Sequence, residues 1–200
     1  MAATALIVTD VQNDFCPGGA LAVAGGDEIV GAINARMATA DAVVLTQDWH
    51  PADHASFADN HAEAATPFSV VAMDYGPQVL WPAHCVIGSH GAAFHPGLHV
   101  NRADLVIRKG FRAAIDSYSA FFENDKVTPT GLAGYLRERG ITRLQFVGLA
   151  HDFCVAWSAI DAARLGFEAE VIEAETRAID LDGSRERARA EMRAAGVRLT

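Results

Sequence analysis

The sequence predicts an α/β fold: a mostly parallel central sheet with helices on both faces, in a Rossmann-like three-layer arrangement. Three observations carry this. Short apolar runs of strand type alternate with segments of helical spacing, the pattern of parallel strands joined by crossover helices. Polar residues repeatedly stand just past the apolar runs, as they do along the ligand-binding edge of such a sheet. And 200 residues, half of them hydrophobic, suffice for one full core, with no stretch resembling a linker, so a single domain over residues 1–200 is expected.

Taken in order, residues 5–9 (ALIVT) read as a buried strand that stops at Asp10, and a Pro- and Gly-bearing loop follows. Residues 27–38 have helical spacing through Ile29, Val30 and Ile33, and 42–46 (AVVLT) form a second strand ending in Gln47, Asp48, Trp49 and His50. Residues 51–96 are irregular, rich in Pro, Gly and His, and too long for an ordinary connection, so a functional loop is expected over about 48–98. A third strand, 104–108, leads into Lys109 and Gly110. Thr130 can cap a helix through Leu132, Tyr135 and Leu136 that stops at Gly140, and 143–147 form the fourth strand. A helix-like pattern opens at Phe153 or Cys154 and ends near Gly166, ahead of a strand at 169–172. Residues 184–195 form an amphipathic helix with Ala188, Met192 and Ala195 inward, and a short strand at 197–199 closes the sequence.

The formal charge of −9 argues against nucleic acid or an anionic membrane as a partner, because both demand clustered Lys and Arg. A small neutral or cationic ligand fits better. The apolar runs are far shorter than the roughly 20 residues a membrane span needs. Cys16, Cys85 and Cys154 make no framework of closely spaced pairs, and no secretory leader pattern opens the chain, so a reducing cytoplasm is the expected compartment.

Cys154 falls where a strand gives way to a helix, and the partial positive charge of a helix N-terminus favours thiolate over thiol. Asp10 and Lys109 likewise follow strand ends, and Lys109 is one of only two lysines in the chain. Singly, each has a plain reading: Cys154 as a small buried hydrophobe, Asp10 as a turn residue, Lys109 as a solvated strand end. Brought to one crevice, they form a unit in which the carboxylate takes the thiol proton, the ammonium stabilises both anions, and Cys154 attacks an electrophilic carbonyl. The backbone N–H groups of Ala150 and Cys154 are the candidate oxyanion hole. A second constellation is Asp48-x-His50 with His84 from the long loop, whose oxygen and nitrogen donors suit Zn²⁺, Fe²⁺ or Mn²⁺. His54 is close enough to be a further ligand, whereas His61, His90, His95 and His99 read as ordinary loop histidines. Two other classes remain open from the residues alone: a hydrolase whose nucleophile is water activated by the ion, and a thiol or metal sensor without turnover.

The segments DVQNDFCPGGALAV, TQDWHPADHASF, WPAHCVIGSHGAAFHP, RKGFRAAIDSYSAF and VGLAHDFCVAWSAIDAARLGF, in that order, resemble those of the nicotinamidase/pyrazinamidase members of the isochorismatase-like cysteine hydrolases. The resemblance covers most of the chain. It implies the isochorismatase-like α/β fold, a triad at Asp10, Lys109 and Cys154, and one divalent ion per chain, Zn²⁺ ahead of Fe²⁺ or Mn²⁺, on Asp48, His50 and His84. It also implies a cis peptide between Leu149 and Ala150 and a substrate pocket at Phe15, Leu21, Trp81 and Tyr118. The activity implied is hydrolysis of nicotinamide to nicotinate and ammonia through a thioester, with pyrazinamide also accepted, in NAD salvage. Another small amide is the alternative substrate, monomer and homodimer are both compatible, and His151 is given no catalytic role.

Overall fold

The computed structural model describes residues 3–61 and 65–200. In chain order its regular elements are β1 (Ala3–Thr9), α1 (Val30–Met37), β2 (Ala42–Asp48), β3 (Val70–Met73), β4 (Gly76–Val79), β5 (Leu105–Lys109), α2 (Leu132–Glu138), β6 (Ile141–Leu149), α3 (Ala156–Arg164), β7 (Glu168–Arg177), α4 (Ser184–Ala194) and β8 (Arg198–Leu199). Six strands form one sheet in the order β5-β2-β1-β6-β7-β8. Every pairing in it is parallel. The chain builds outward from β1 first through β2 and β5, then in the other direction through β6, β7 and β8. The order therefore reverses at β1 and β6, and a crevice opens at the carboxyl ends of the strands there.

Strand residues alternate faces, so each strand feeds two cores. Leu6, Val8, Val43, Leu45, Val147 and Leu149 pack in the layer with Val30, Ile33 and Met37 of α1. Ala5, Ile7, Val44, Leu144 and Phe146 pack in the opposite layer with Leu136 of α2, Ala159 of α3 and Met192 of α4. Full burial of a side chain such as Ile33, Leu136 or Met192 is worth about 1.5–3 kcal/mol. That is what holds these short helices, since α1 and α2 have only 8 and 7 residues and helices this short are marginal alone.

Several boundaries differ from those read in the sequence, each for a local reason. α1 begins at Val30 rather than Asp27, because Gly25 and Gly26 lead into turns in which Glu28 N–H donates to the Gly25 carbonyl and Val30 N–H to that of Asp27. β7 runs on to Arg177, beyond the expected 172, because its pairing with β6 shifts register between Phe146 and Gly148 and brings Thr176 and Arg177 beside Gly148 and Leu149. Its polar continuation, EAETR, hid the strand. The stretch read as irregular, part of which (62–64) lies outside the described residues, contains the antiparallel β3–β4 hairpin. A four-residue strand holding Pro77 gives little periodicity to read. Thr130 does receive the Leu132 N–H at the start of α2, at 3.3 Å.

At the junction of β1 and β6 the backbones come close. Gly148 has φ +107°, and a Cβ there would lie 2.1 Å from the Thr9 carbonyl oxygen, beside Asp10. Gly148→Ala is expected to cost more than about 2 kcal/mol in urea unfolding, from the left-handed backbone and the clash together. Unchanged stability would mean the two strands can separate at this point without loss.

Candidate active site

The strand ends deliver three ionisable groups to one place. Asp10 follows β1 at φ 47°, Lys109 ends β5, and Cys154 stands in a turn after β6. The Lys109 ammonium, with 0% side-chain exposure, lies 2.8 Å from Asp10 Oδ2 and 3.4 Å from Cys154 Sγ. It also donates to Asp48 Oδ1 and, at 3.0 Å, to the Ser117 carbonyl. Thr46 donates its hydroxyl to Asp10 Oδ1 at 2.5 Å. Lys109 is thus the shared member of two groups that the sequence presented separately. One oxygen each from Asp10 and Asp48 and the Cys154 sulfur lie within 4.8 Å of one another.

Burial and charge compete here. Burial pushes the Asp10 carboxyl up to about 6, with Lys109 opposing it. Burial also raises Asp48, but Lys109, His50 and His84 outweigh it and hold that carboxyl below its ordinary range. For Lys109 the desolvation cost is overcome by the two carboxylates, which keep it charged. Burial drives the Cys154 thiol well above its ordinary value despite Lys109. The resting sulfur is therefore a thiol beside a carboxylate, not the thiolate expected from a helix N-terminus. The helical turn also opens earlier than expected, at His151, as a wide turn through Val155 that runs into α3. Ser158 anchors it, donating to the Cys154 carbonyl at 2.6 Å and accepting the Ala120 N–H at 2.8 Å. The Leu149–Ala150 peptide is cis.

The donor set at Asp48, His50 and His84 fits a metal ion. One ligand atom from each lies within 4.8 Å of the others. His50 Nδ1–H donates to the Gly110 carbonyl at 2.8 Å and His84 Nδ1–H to that of Pro82 at 2.8 Å. In the neutral rings these bonds fix the tautomer and leave Nε2 of each, 3.7 and 3.9 Å from Asp48 Oδ2, as the atom free to ligate. Burial lowers the His50 imidazole, but the Asp48 carboxylate outweighs it and raises it. Burial and the neighbouring His50 lower His84 to about 4, which keeps it neutral, as a ligand must be. Gly110 is required for this packing, since a Cβ at its φ of +67° would lie 2.3 Å from the His50 ring. His54 stacks on His50 with ring centroids 4.3 Å apart, but its nitrogens already face Ser56 Oγ at 2.7 Å and the Ile115 carbonyl at 3.2 Å.

Phe15, Leu21, Trp81 and Tyr118 line one small cavity with Asp48, His50, His84, Ala150 and Cys154. All the pocket residues named from the sequence meet there. Phe153, Ile179 and Asp116 complete the wall and were not singled out. Phe153 stands edge-on to Trp81 and Tyr118, with centroids at 4.9 and 5.6 Å, and Trp81 Nε1–H donates to the Tyr118 hydroxyl at 3.1 Å. Gln12 was also passed over. Its amide donates to the Asp48 carbonyl and accepts the Asp48 N–H, at 2.9 and 2.8 Å, pinning the backbone of a candidate ligand. Its place two residues after Asp10 was the available signal. His151 points away from this group, to Thr176 Oγ1 at 2.9 Å.

The chain is similar to known proteins over almost its whole length. Residues 4–200 match the isochorismatase domain. The chain is 56% identical over 193 residues to a nicotinamidase of Acinetobacter baylyi, covering 96% of this chain and 90% of that protein. A solved nicotinamidase/pyrazinamidase of Acinetobacter baumanii superposes with a TM-score of 0.97 at 54% identity, covering 100% of this chain and 96% of the other. A pyrazinamidase of Pyrococcus horikoshii solved in complex with zinc gives 0.78 at 34% identity, covering 98% of both chains.

Lys109→Met leaves Asp10 and Asp48 buried without their cation, and should cost about 3–5 kcal/mol at neutral pH. Asp10 already titrates above its unfolded value and rises further without the ammonium. The native state then holds a proton that the unfolded chain has released, so the variant regains stability as pH falls and loses it as pH rises through the folded pKa. Urea unfolding of the metal-free variant at pH 5 and pH 8 reads this; an equal deficit at both would contradict the assignment.

Proposed function

Because the chain belongs to the isochorismatase family, we propose that it carries out the reaction for which its close relatives are named, converting nicotinamide to nicotinate and ammonia. It is a nicotinamide hydrolase, and pyrazinamide, which also joins a carboxamide to a ring with nitrogen, is a second substrate. The observation that carries the reading is the Lys109 ammonium, in reach of Asp10, Asp48 and Cys154 at once.

The amide enters the aromatic cavity with its carbonyl carbon against Cys154 Sγ. As sulfur attacks, its proton passes to Asp10, whose carboxyl is poised near 6 by burial and so accepts and returns a proton near neutrality. The developing thiolate is met by Lys109, and the N–H groups of Ala150 and Cys154 are assigned to the oxygen that becomes negative. The C–N bond then breaks, Asp10 returning its proton so that ammonia leaves and an acyl–sulfur thioester remains. Water, losing a proton to Asp10, attacks the thioester, the C–S bond breaks, and the thiol is re-formed as the acid departs. Asp48, His50 and His84 are assigned as ligands of one divalent ion, with zinc first in view of the Pyrococcus horikoshii complex. Bound there, the ion supplies a Lewis-acid anchor for a ring nitrogen. The three cysteines are free, which suits work in a reducing cytoplasm. Among the described residues no helix is long and apolar enough to cross a membrane.

Cys154→Ala should lower ammonia release from nicotinamide by a factor of about 10,000 or more while bound zinc stays at the wild-type level. Turnover persisting in that variant would remove the covalent route. His50→Ala should instead lower zinc retained after dialysis by about tenfold or more and raise KM. Zinc content unchanged by that substitution would remove the proposed ligand set.

A further inference from the structure

The mechanism above leaves one carboxylate of the cavity wall without a task. Asp116 is 3% exposed, and no Lys or Arg pairs with it among the described residues. Its hydrogen-bond partners are neutral: the Ser117 N–H reaches Oδ1 and Gln78 Nε2–H reaches Oδ2, both at 2.8 Å. A carboxylate held by neutral donors in a buried wall is costly unless positive charge is supplied from elsewhere. One oxygen of Asp116 lies within 4.8 Å of one nitrogen each of His50 and His54. His50 also belongs to the donor set with Asp48 and His84, so Asp116 stands one imidazole away from the place where an ion would sit.

Counting formal charges gives a reason for this placement. Asp10, Asp48 and Asp116 contribute three negative charges and Lys109 one positive, leaving two negative when both imidazoles serve as neutral ligands. A doubly charged cation brings the sum to zero. Without Asp116 the same cation would leave a surplus positive charge among side chains that are almost wholly buried. We propose that Asp116 is the charge-setting residue of the metal centre: it does not ligate, but supplies through space the second of the two net negative charges that hold a divalent ion there. Gln78, carried in by the β3–β4 hairpin, keeps the carboxylate turned inward and gives the hairpin a reason to sit beside the cavity.

The inference rests on the reading of Asp48, His50 and His84 as ligands, and the experiment separates the two. Zinc affinity is measured by competition with a chromophoric chelator on the full chain, wild type against Asp116→Asn, Asp116→Glu and Gln78→Ala. Asp116→Asn is expected to weaken zinc by about 10- to 100-fold, the range in which groups around a metal's ligands act, and Asp116→Glu to recover most of it. Gln78→Ala, which removes a neutral partner and keeps the charge, is expected to stay within about threefold of wild type. Melting of the metal-free proteins gives a readout of opposite sign. Removal of a buried charge that no Lys or Arg pairs with should leave metal-free Asp116→Asn, at a pH where the imidazoles are neutral, at least as stable as wild type, while its gain in Tm on adding zinc is smaller. Wild-type zinc affinity in Asp116→Asn would overturn the inference and leave the ligand assignment standing, whereas equal weakening by Gln78→Ala would show that Asp116 acts only as a hydrogen-bonding strut. A wild-type protein that does not bind zinc would overturn both.

Discussion

The Lys109 ammonium lies between the carboxylates of Asp10 and Asp48, with the Cys154 sulfur in reach. All four groups are buried. Two carboxylates in this space would repel each other and shed their charge without the cation, and the cation would be equally costly without them. The four residues come from the ends of β1, β2, β5 and the turn after β6, so the ion-pair cluster joins four segments of the sheet's carboxyl edge. It fixes the state of the nucleophile's neighbour and the placement of the candidate metal ligand together.

The surrounding backbone holds that cluster in place by close approach. Gln12, just after β1, brackets the amide group of Asp48 at the end of β2. Asp14 accepts the Cys85 N–H at 2.7 Å and so ties the loop bearing His84 to the segment after β1. Gly91 sits against the Asp14 carboxylate where any side chain would collide. The long connection between β2 and β5 is therefore part of the site's wall, and its distance along the chain is offset by these few buried hydrogen bonds.

Acid–base roles follow from how deeply each group is buried. A helix terminus alone would favour thiolate, but burial, with Asp10 and Asp48 adding to it, drives the Cys154 thiol well above its ordinary value despite the nearby ammonium, and the thiol stays protonated at rest. Asp10 feels the same desolvation but is only partly rescued by Lys109, which leaves it in the range where protons move in both directions near neutrality. The Tyr118 oxygen accepts from Trp81 Nε1–H and from Gln78 Nε2–H, so the indole's one polar atom is satisfied within the cavity wall and the two rings meet edge-on.

The parallel α/β architecture, the identity of the strand-end residues and the Asp48, His50 and His84 donor set were legible in the sequence. Apolar runs ending in polar residues are local patterns, and the distinctive segments stand in the order of a known family. The start of α1, the extension of β7 through a register shift and the hairpin at Val70–Val79 were not legible, because each depends on a partner strand or turn rather than on local periodicity. Nor could spacing reveal that Lys109 faces Asp48 as well as Asp10, that Asp116 joins the wall, or that Cys154 rests as a thiol. Residue identity is written along the chain, but distance and desolvation exist only once β1, β2, β5 and β6 lie side by side, and those two quantities decide which charge each group carries.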